Sequence, residues 1–182
     1  MNGRRFLFIL LCFLAFPVPC RADDNEEVLL IFSSGGKGYK SGDTVAVKAG
    51  SDLKILAKVF VKQFAVKGGH WKKNPQGEWR YFKKIRGYSV GVGVGKMSLN
   101  VLKQEYRWVL EGEPPQSQKE FTWHVPPDAC GDSTIKITTV TQGQIKTEGT
   151  ASLHGLHLDY NLPGAGKREF KGEALLHLHI SL

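Results

Sequence analysis

Apolar and polar residues alternate along most of the chain, and the 3.6-residue period of an amphipathic helix is scarce. The clearest alternation runs from 53 to 61, where every second position is apolar: Leu53, Ile55, Ala57, Val59 and Val61. Lysines fall on the other side of this run: Lys54, Lys58 and Lys62. Because successive side chains of a strand point to opposite faces, this period of two predicts strands with one buried and one solvated face.

Turn-forming residues divide these runs into segments of strand length. Strands are predicted at 27–33, on either side of a turn at 50–52, near 106–111 and, as a pair, within 119–140. A hairpin is predicted over 70–84, because Asn74, Pro75 and Gly77 supply turn chemistry between two alternating runs. Turn signals recur roughly every ten residues, which is typical of an all-β sandwich.

The glycine-rich segment 86–98 contains residues that phosphate-binding loops use. A Walker loop that ends at Gly95-Lys96 requires a glycine at position 90 and a hydroxyl at position 97, where this chain has Val90 and Met97. Valines and glycines instead alternate from 90 to 95. The segment is therefore predicted to be a strand, with one face that carries no side chains.

Two segments resemble bacterial immunoglobulin-like domains. The first, 39–53, contains a G-D-x-V sequence at Gly42, and the second, 121–137, contains W-x-V-P at Trp123 followed by G-x-S-x-I-x-I. The cysteine pair of antibody domains is absent and the middle section is longer than usual. The resemblance implies an all-β, immunoglobulin-like antiparallel β-sandwich and leaves the function open, because such folds host many functions.

The chain continues beyond what that resemblance requires. Alternating runs at 144–162 and 170–182 flank the turn residues 163–166, which predicts a long C-terminal β-hairpin. Because an isolated ribbon of two strands is marginally stable, we expect this hairpin to extend the main sheet. The predicted organisation is a signal peptide at 1–22, a sandwich at 23–142 and an added hairpin at 143–182.

The N-terminus has the three parts of a secretory signal peptide. Arg4 and Arg5 form the charged region, 6–16 form the apolar region, and Cys20 and Ala22 are small residues at a cleavage site. A lipid anchor at Cys20 is the alternative, and the neighbouring prolines disfavour it. The apolar run is too short to remain as a bilayer span, so we expect no transmembrane anchor after cleavage.

Removal of this segment changes the charge and the cysteine count. The segment contains three arginines and no acidic residue, so its removal lowers the net charge from +8 to +5. A mildly basic exported protein is not expected to bind nucleic acid. Cys130 alone remains, which excludes an intramolecular disulfide. Because exported eukaryotic domains usually contain disulfides, we expect a bacterial protein in a periplasmic or extracellular location.

Histidines in the C-terminal strands form the first candidate site. His177 and His179 are two residues apart and share one face of a strand, at a separation that suits two ligands of one metal ion. If the predicted hairpin turns near position 167, His157 lies opposite His177, with Asp159 beside it. These side chains would then bind zinc or copper. The alternative is a solvated sheet face that carries histidines by chance.

The predicted hairpin at 70–84 forms the second candidate site. It combines aromatic and cationic residues: Trp71, Lys72, Lys73, Trp79, Arg80 and Tyr81. Aromatic rings beside cations suit sugar rings and anionic polymers, so the pattern indicates a surface for cell-wall glycans. The alternative is that the aromatic residues belong to the core and the cations to a solvated face.

The sequence contains neither a Gly-x-Ser-x-Gly elbow nor a His-Glu-x-x-His motif, and we expect no catalytic residue. The predicted function is a non-enzymatic binding or assembly module of the bacterial envelope. Its expected partner is an envelope protein, which strand addition at a sheet edge would hold, or a cell-wall glycan. The alternative is a periplasmic metal-binding protein that uses His157, His177 and His179.

Overall fold

The computed structural model describes residues 27–85, 88–92, 96–148, 150–153 and 156–182, so the predicted signal peptide lies outside the described residues. The described residues form these strands: β1 Glu27–Ser34, β2 Lys37–Lys40, β3 Thr44–Lys48, β4 Asp52–Val66, β5 Gly69–Lys73, β6 Trp79–Ile85, β7 Tyr88–Val92, β8 Lys96–Leu110, β9 Glu120–His124, β10 Gly131–Glu148, β11 Thr150–Leu153, β12 Leu156–Asn161 and β13 Gly166–Ser181. No helix in these ranges is long and apolar enough to cross a membrane.

The strands form two main sheets, which confirms the predicted all-β class and is consistent with a sandwich. The larger sheet has the order β2-β1-β4-β5-β6-β7, and β9 also pairs with β4. The smaller sheet has the order β3-β13-β10-β8, and β11 pairs with β12 in a separate ribbon. Within the smaller sheet β3 runs parallel to β13, whereas β10 is antiparallel to both of its neighbours.

The long strand β4 forms because its alternation buries one face. A bulge in this strand lets its side chains contribute to both hydrophobic clusters of the core. From Leu53 to Val61 the odd-numbered side chains point inward. Val61 then pairs with Val28 and Gln63 with Glu27, which leaves Lys62 as an extra residue. A bulge of one residue exchanges the two faces of a strand, so Phe64, at an even-numbered position, enters the core.

Two hydrophobic clusters lie between the sheets. The first surrounds Trp108, whose ring lies 6.1 Å from Phe32 and 5.5 Å from Phe121, measured between ring centroids. The second surrounds Phe64, whose ring lies 5.3 Å from Trp79 and 5.5 Å from Phe170. β10 places Thr139 and Thr141 on the same face as Ile137 and Ile145, and neither threonine belongs to a hydrophobic cluster. Buried polar side chains therefore separate the two clusters.

The C-terminal strands pair differently from the predicted hairpin. β10 is continuous from Gly131 to Glu148 and crosses the predicted boundary between 142 and 143. β13 pairs with β10 along fifteen residue pairs and with β3, while β12 pairs with β11. The predicted pairing of 144–162 with 170–182 is therefore wrong, because β13 pairs with β10 and β3 instead. The physical reason is burial, because β13 completes the first cluster with Leu176 and Leu178.

The hairpin predicted over 70–84 is present as β5 and β6. The turn closes through Gly77 N–H, which donates to the Asn74 carbonyl at 2.9 Å, and Gly77 has a φ of 83° that favours glycine. The valine–glycine strand is present as β7 as far as Val92, and 93–95 lie outside the described residues. The strand predicted near 106–111 is much longer, since β8 begins at Lys96.

Candidate functional site

The aromatic residues of the predicted glycan-binding hairpin lie in the core. Trp71, Trp79 and Tyr81 are each at most 9 % exposed and belong to the second hydrophobic cluster. Trp71 also donates its indole Nε1–H to the Pro163 carbonyl at 2.8 Å. Since their faces are covered by other side chains, they offer no platform for a sugar ring. The structure matches the alternative interpretation of this pattern.

The cations of the same hairpin lie at the surface. Lys72 and Arg80 are exposed, and Arg80 pairs with Glu78 at 2.7 Å, while Lys73 lies over the Trp79 ring at 5.1 Å. On the outward face the His70 ring stacks on Phe82 with centroids 5.1 Å apart. Burial of His70, with the nearby charges of Lys72 and Lys84, lowers its pKa below the usual 6.5.

The histidines of β13 lie on its outward face beside β10. His179 Nδ1 is 2.7 Å from Asp132 Oδ1, and His177 Nδ1 is 3.3 Å from Thr134 Oγ1. A surface depression of about 450 Å³ is lined by both histidines, Asp132 and Thr44. His177 lies opposite Thr134 and Thr44 in the sheet register, so the predicted position opposite His157 is wrong.

His157 lies on β12, opposite Ser152 of β11, and its side chain and that of Asp159 are outside the described residues. Among the residues that the structure describes, no group of three or more histidine, cysteine, aspartate or glutamate side chains is arranged to hold a metal ion. His177 and His179 with Asp132 therefore offer two imidazoles and a carboxylate on one face, without a described metal centre.

One edge of β4 carries a gap between two partner strands. On this edge β9 pairs with residues 52–56 and β5 pairs with residues 63–66, while β1 occupies the other edge. No described strand pairs with residues 57–62 on the open side. We call this open edge and the side chains around it the β4 cleft. Six residues of extended chain span about 20 Å, the length of an ordinary strand.

The backbone of the β4 cleft presents groups that a further strand would use. Ala57 N–H points to the open side, because it donates to the Lys119 carbonyl at 3.2 Å just past the end of β9. Successive residues of a strand direct their N–H and C=O groups to alternate edges. Val59 and Val61 therefore present their N–H and C=O groups to the gap, while Lys58 and Phe60 direct theirs to β1.

The inner side of the β4 cleft is closed by the smaller sheet. A cavity of about 170 Å³ lies there, and β4, the β5–β6 hairpin, β8 and β10 all contribute to its lining: Val59, Phe60, Val61, Lys73, Trp79, Leu99, Val101, Gln104 and Thr141. Val101 points between the sheets and is still 46 % exposed, since none of the described strands of the larger sheet covers it. The Tyr106 hydroxyl donates to Gln104 Oε1 at 2.9 Å, and burial raises the pKa of Tyr106.

Thr141 lines the same cavity with a side chain that is almost fully buried. Its side chain is 1 % exposed, and its hydroxyl has no hydrogen-bond partner among the described residues. Thr139, two positions earlier on the same face, has an unpartnered hydroxyl as well. A buried hydroxyl without a partner costs about 1–3 kcal/mol. Both hydroxyl oxygens are closed off from solvent, so neither is open to a ligand in the β4 cleft.

The outer side of the β4 cleft carries an apolar residue between two lysines. Phe60 is 42 % exposed on the outward face, and Lys58 and Lys62 flank it. Lys62 makes a 3.7 Å ion pair with Glu27, with both side chains about half exposed, and no described acidic group pairs with Lys58. The cleft thus combines open backbone groups, apolar side chains and positive charge.

The β4 cleft was not predicted from the sequence, although two local signals point to it. Phe60 is an aromatic residue at a position of β4 whose neighbours on the same face are lysines. The run Leu99-Asn100-Val101-Leu102 breaks the alternation of β8, because Leu102 is an extra residue where Gln142 pairs with Lys103 and Gly143 with Val101. Neither signal alone shows that the strands which flank the gap stop short of each other.

No family model matches the chain, and neither the curated proteins nor the solved structures contain a significant match to it. The geometry of the described residues therefore carries the functional argument.

Proposed function

We propose that the protein is an exported, non-enzymatic binding module of the bacterial envelope that holds an extended segment of a partner protein in the β4 cleft. One observation carries this proposal: no described strand pairs with residues 57–62 on the open edge of β4, where Val101 of β8 is half exposed. Strand addition gives affinity through backbone hydrogen bonds and specificity through alternate side chains. The predicted signal peptide supports export, and the likeness to immunoglobulin-like domains stays part of the proposal.

The energetics favour occupation of the β4 cleft. An added strand would cover Phe60 and Val101, which are 42 % and 46 % exposed. Full burial of such side chains is worth about 1.5–3 kcal/mol each, so covering their exposed parts contributes roughly 1–3 kcal/mol in total. The N–H and C=O groups of Val59 and Val61 would exchange water for backbone partners, at about 0.5–1.5 kcal/mol for each hydrogen bond. These gains suit a specific contact of modest affinity.

The proposal is tested by crosslinking from within the cleft. Phe60 is replaced by the photoreactive p-benzoylphenylalanine in cells that export the protein, and adducts are mapped by mass spectrometry. We expect an adduct to one extended segment of an envelope protein. The Val101→Trp substitution fills the cavity with an indole and should abolish the adduct. Val109→Trp is the matched control, since Val109 lies on the outward face of the same strand and is 37 % exposed.

Loss of the adduct in the Val101→Trp background and its retention in the Val109→Trp background support strand addition. An adduct that survives Val101→Trp places the partner elsewhere on the surface and overturns the proposal. The same conclusion follows if illumination of the original variant yields no adduct while the folded protein is present in the envelope.

Metal binding is the second candidate function, and the shared face of His177, His179 and Asp132 favours it. A bound metal stabilises the folded state according to its concentration and affinity. This candidate requires that excess zinc or copper raises the melting temperature of the wild type above that of the His177→Ala/His179→Ala variant. Equal melting temperatures in both proteins at excess metal remove it, and they leave the β4 cleft unaffected.

A further inference from the structure

The outer face of the larger sheet carries an apolar patch where β1 and β4 meet. In β1 Leu30 is buried in the core, so its neighbours Leu29 and Ile31 point outward. In the register Leu29 lies directly opposite Phe60 of β4, which is 42 % exposed. Ile31 lies diagonally between Phe60 and Leu56, within reach of both side chains. The patch is therefore continuous, and only its core side is covered.

Lysines surround this apolar patch. Lys40 of β2 and Lys58 of β4 lie in one row across β1, and Lys54 and Lys62 lie towards the two ends of the patch on β4. All four side chains are exposed. Among the described residues Lys62 pairs with Glu27, and no acidic group pairs with the other three lysines. The patch thus has a rim of positive charge.

The outer face of the smaller sheet has a different charge arrangement. Three of its lysines pair with acidic neighbours: Lys103 with Glu105, Lys136 with Glu173 and Lys171 with Glu169. On the larger sheet, Glu27 and Glu120 are the acidic residues that lie beside the patch in the described register. Charge is therefore balanced locally on one outer face, whereas the other has an excess of positive charge around apolar side chains.

We infer that the outer face of β1 and β4 binds an anionic lipid surface. This inference goes beyond the proposed function, because it uses side chains on the face of the sheet and not the open backbone edge of β4. Lysines direct their ammonium groups to lipid phosphates while their stems cover apolar area. Phe60 at the centre enters the boundary between headgroups and acyl chains. Each lysine near an anionic membrane adds about fivefold in affinity.

The combination of charge and apolar area favours a lipid surface over other anionic partners. A purely anionic polymer would meet the lysines and leave Phe60 and Ile31 in water, whereas a lipid surface covers both kinds of side chain. A second copy is opposed by like charge, since each exported chain has a net charge of +5. The predicted export brings this face to the phospholipids of the envelope.

Sedimentation with vesicles tests the inference on the protein purified after export. One set of vesicles contains phosphatidylcholine alone, and the other contains phosphatidylglycerol as one third of its lipid. We expect binding to the anionic vesicles and none to phosphatidylcholine alone. Binding should be lost between about 0.1 M and 1 M salt, because the Debye length falls from about 10 Å to about 3 Å.

Two triple variants separate the position of the charges from their number. Lys40→Gln/Lys54→Gln/Lys58→Gln removes three lysines around the patch, and it should lower the affinity for the anionic vesicles by roughly 100-fold. The matched control removes three charges from the outer face of the smaller sheet: Lys103→Gln/Lys136→Gln/Lys171→Gln. It should stay within about threefold of the wild type. All six side chains are exposed, so both variants keep the fold, which their melting temperatures verify.

The apolar contribution is tested with Phe60→Ser. Its affinity for the anionic vesicles should fall by about fivefold, because the ring no longer enters the lipid. Val109→Ser is the control, since Val109 is 37 % exposed on the outer face of the smaller sheet, and its affinity should equal that of the wild type. Polyglutamate serves as an anionic polymer without an apolar phase.

Equal losses in the two triple variants would show that net charge alone drives binding, and they would overturn the inference. Polyglutamate that binds as tightly as the vesicles, with no effect of Phe60→Ser, would identify an acidic polypeptide as the partner and overturn the lipid assignment. Wild-type protein that stays in the supernatant with anionic vesicles at low salt overturns it as well. The crosslinking experiment decides the β4 cleft separately, so the two proposals fail independently.

Discussion

Thr141 connects the packing of the core with the β4 cleft. Its hydroxyl is buried and unpartnered among the described residues, so the folded protein bears the cost of a lost hydrogen bond with water. In the sequence this residue follows Ile135 and Ile137 in an alternating run. The pattern therefore predicts a weakly polar side chain on the core face of the strand. Only the structure shows that it lines a cavity.

The Thr141→Val substitution should therefore leave the free protein as stable as the wild type or stabilise it by up to about 1 kcal/mol. Urea unfolding of both proteins measures the difference in the free energy of unfolding. A loss of more than about 1 kcal/mol would mean that the hydroxyl has a hydrogen-bond partner in the folded protein.

His70 makes the stability of the protein depend on pH. Its lowered pKa means that the folded state disfavours the protonated ring, so the stability due to neutral His70 is present above 6.5 and is lost as the pH falls through its lowered pKa. The free energy of unfolding should fall more steeply below pH 6.5 in the wild type than in His70→Gln. An NMR titration midpoint for His70 above 6.5 would show that burial and the neighbouring lysines do not dominate its pKa.

The aromatic residues of the hairpin show what the sequence specifies at the residue scale. Alternation places Trp71 on one face and Lys72 on the other, and it places Trp79 and Tyr81 together. It does not say which face meets the core. The glycan hypothesis placed the aromatic face outward because cations lie next to it. In the structure this face points inward, because the aromatic side chains bury a large apolar area against Phe64 and Phe170.

At the scale of elements, most strands follow from alternation and turn residues, whereas their pairings do not. β1, β3, β5 and β6 are close to their predicted positions. The predicted C-terminal hairpin joined runs that are neighbours along the sequence, but β13 pairs with β10 from Gly131 onward. A local pattern of apolar positions is equally satisfied by several partners, so the pairing depends on the shared core rather than on the strand itself.

The bulge at Lys62 is the element that lets β4 contribute to both hydrophobic clusters. Deletion of Lys62 should move Phe64, which is fully buried, to the solvent face and destabilise the protein by about 3 kcal/mol or more. Lys62→Ala removes the side chain and keeps the bulge, so its free energy of unfolding should stay within about 0.5 kcal/mol of the wild type. Chemical denaturation of both variants makes the comparison, and equal stabilities would show that the bulge does not set the register.

At the scale of the whole molecule, the alternation of the sequence is enough to predict two packed sheets but not the gap in one of them. The gap exists because β9 and β5 share one edge of β4 and stop at Leu56 and Gln63. The ends of these strands depend on where the loops leave the sheet. The alternation of apolar and polar residues does not predict those positions. The cleft is thus a property of the assembled fold, although exposed Phe60 marks its position.

Hydrogen exchange at β4 in the free protein tests the open edge most directly. Val59 and Val61 should exchange their amide hydrogens at least about tenfold faster than Lys58 and Phe60, which are bonded to β1, because exchange follows local access of backbone groups to water. Binding of the partner segment should then slow Val59 and Val61 alone. Four equally slow amides in the free protein would contradict the proposed cleft, because the edge would already be closed.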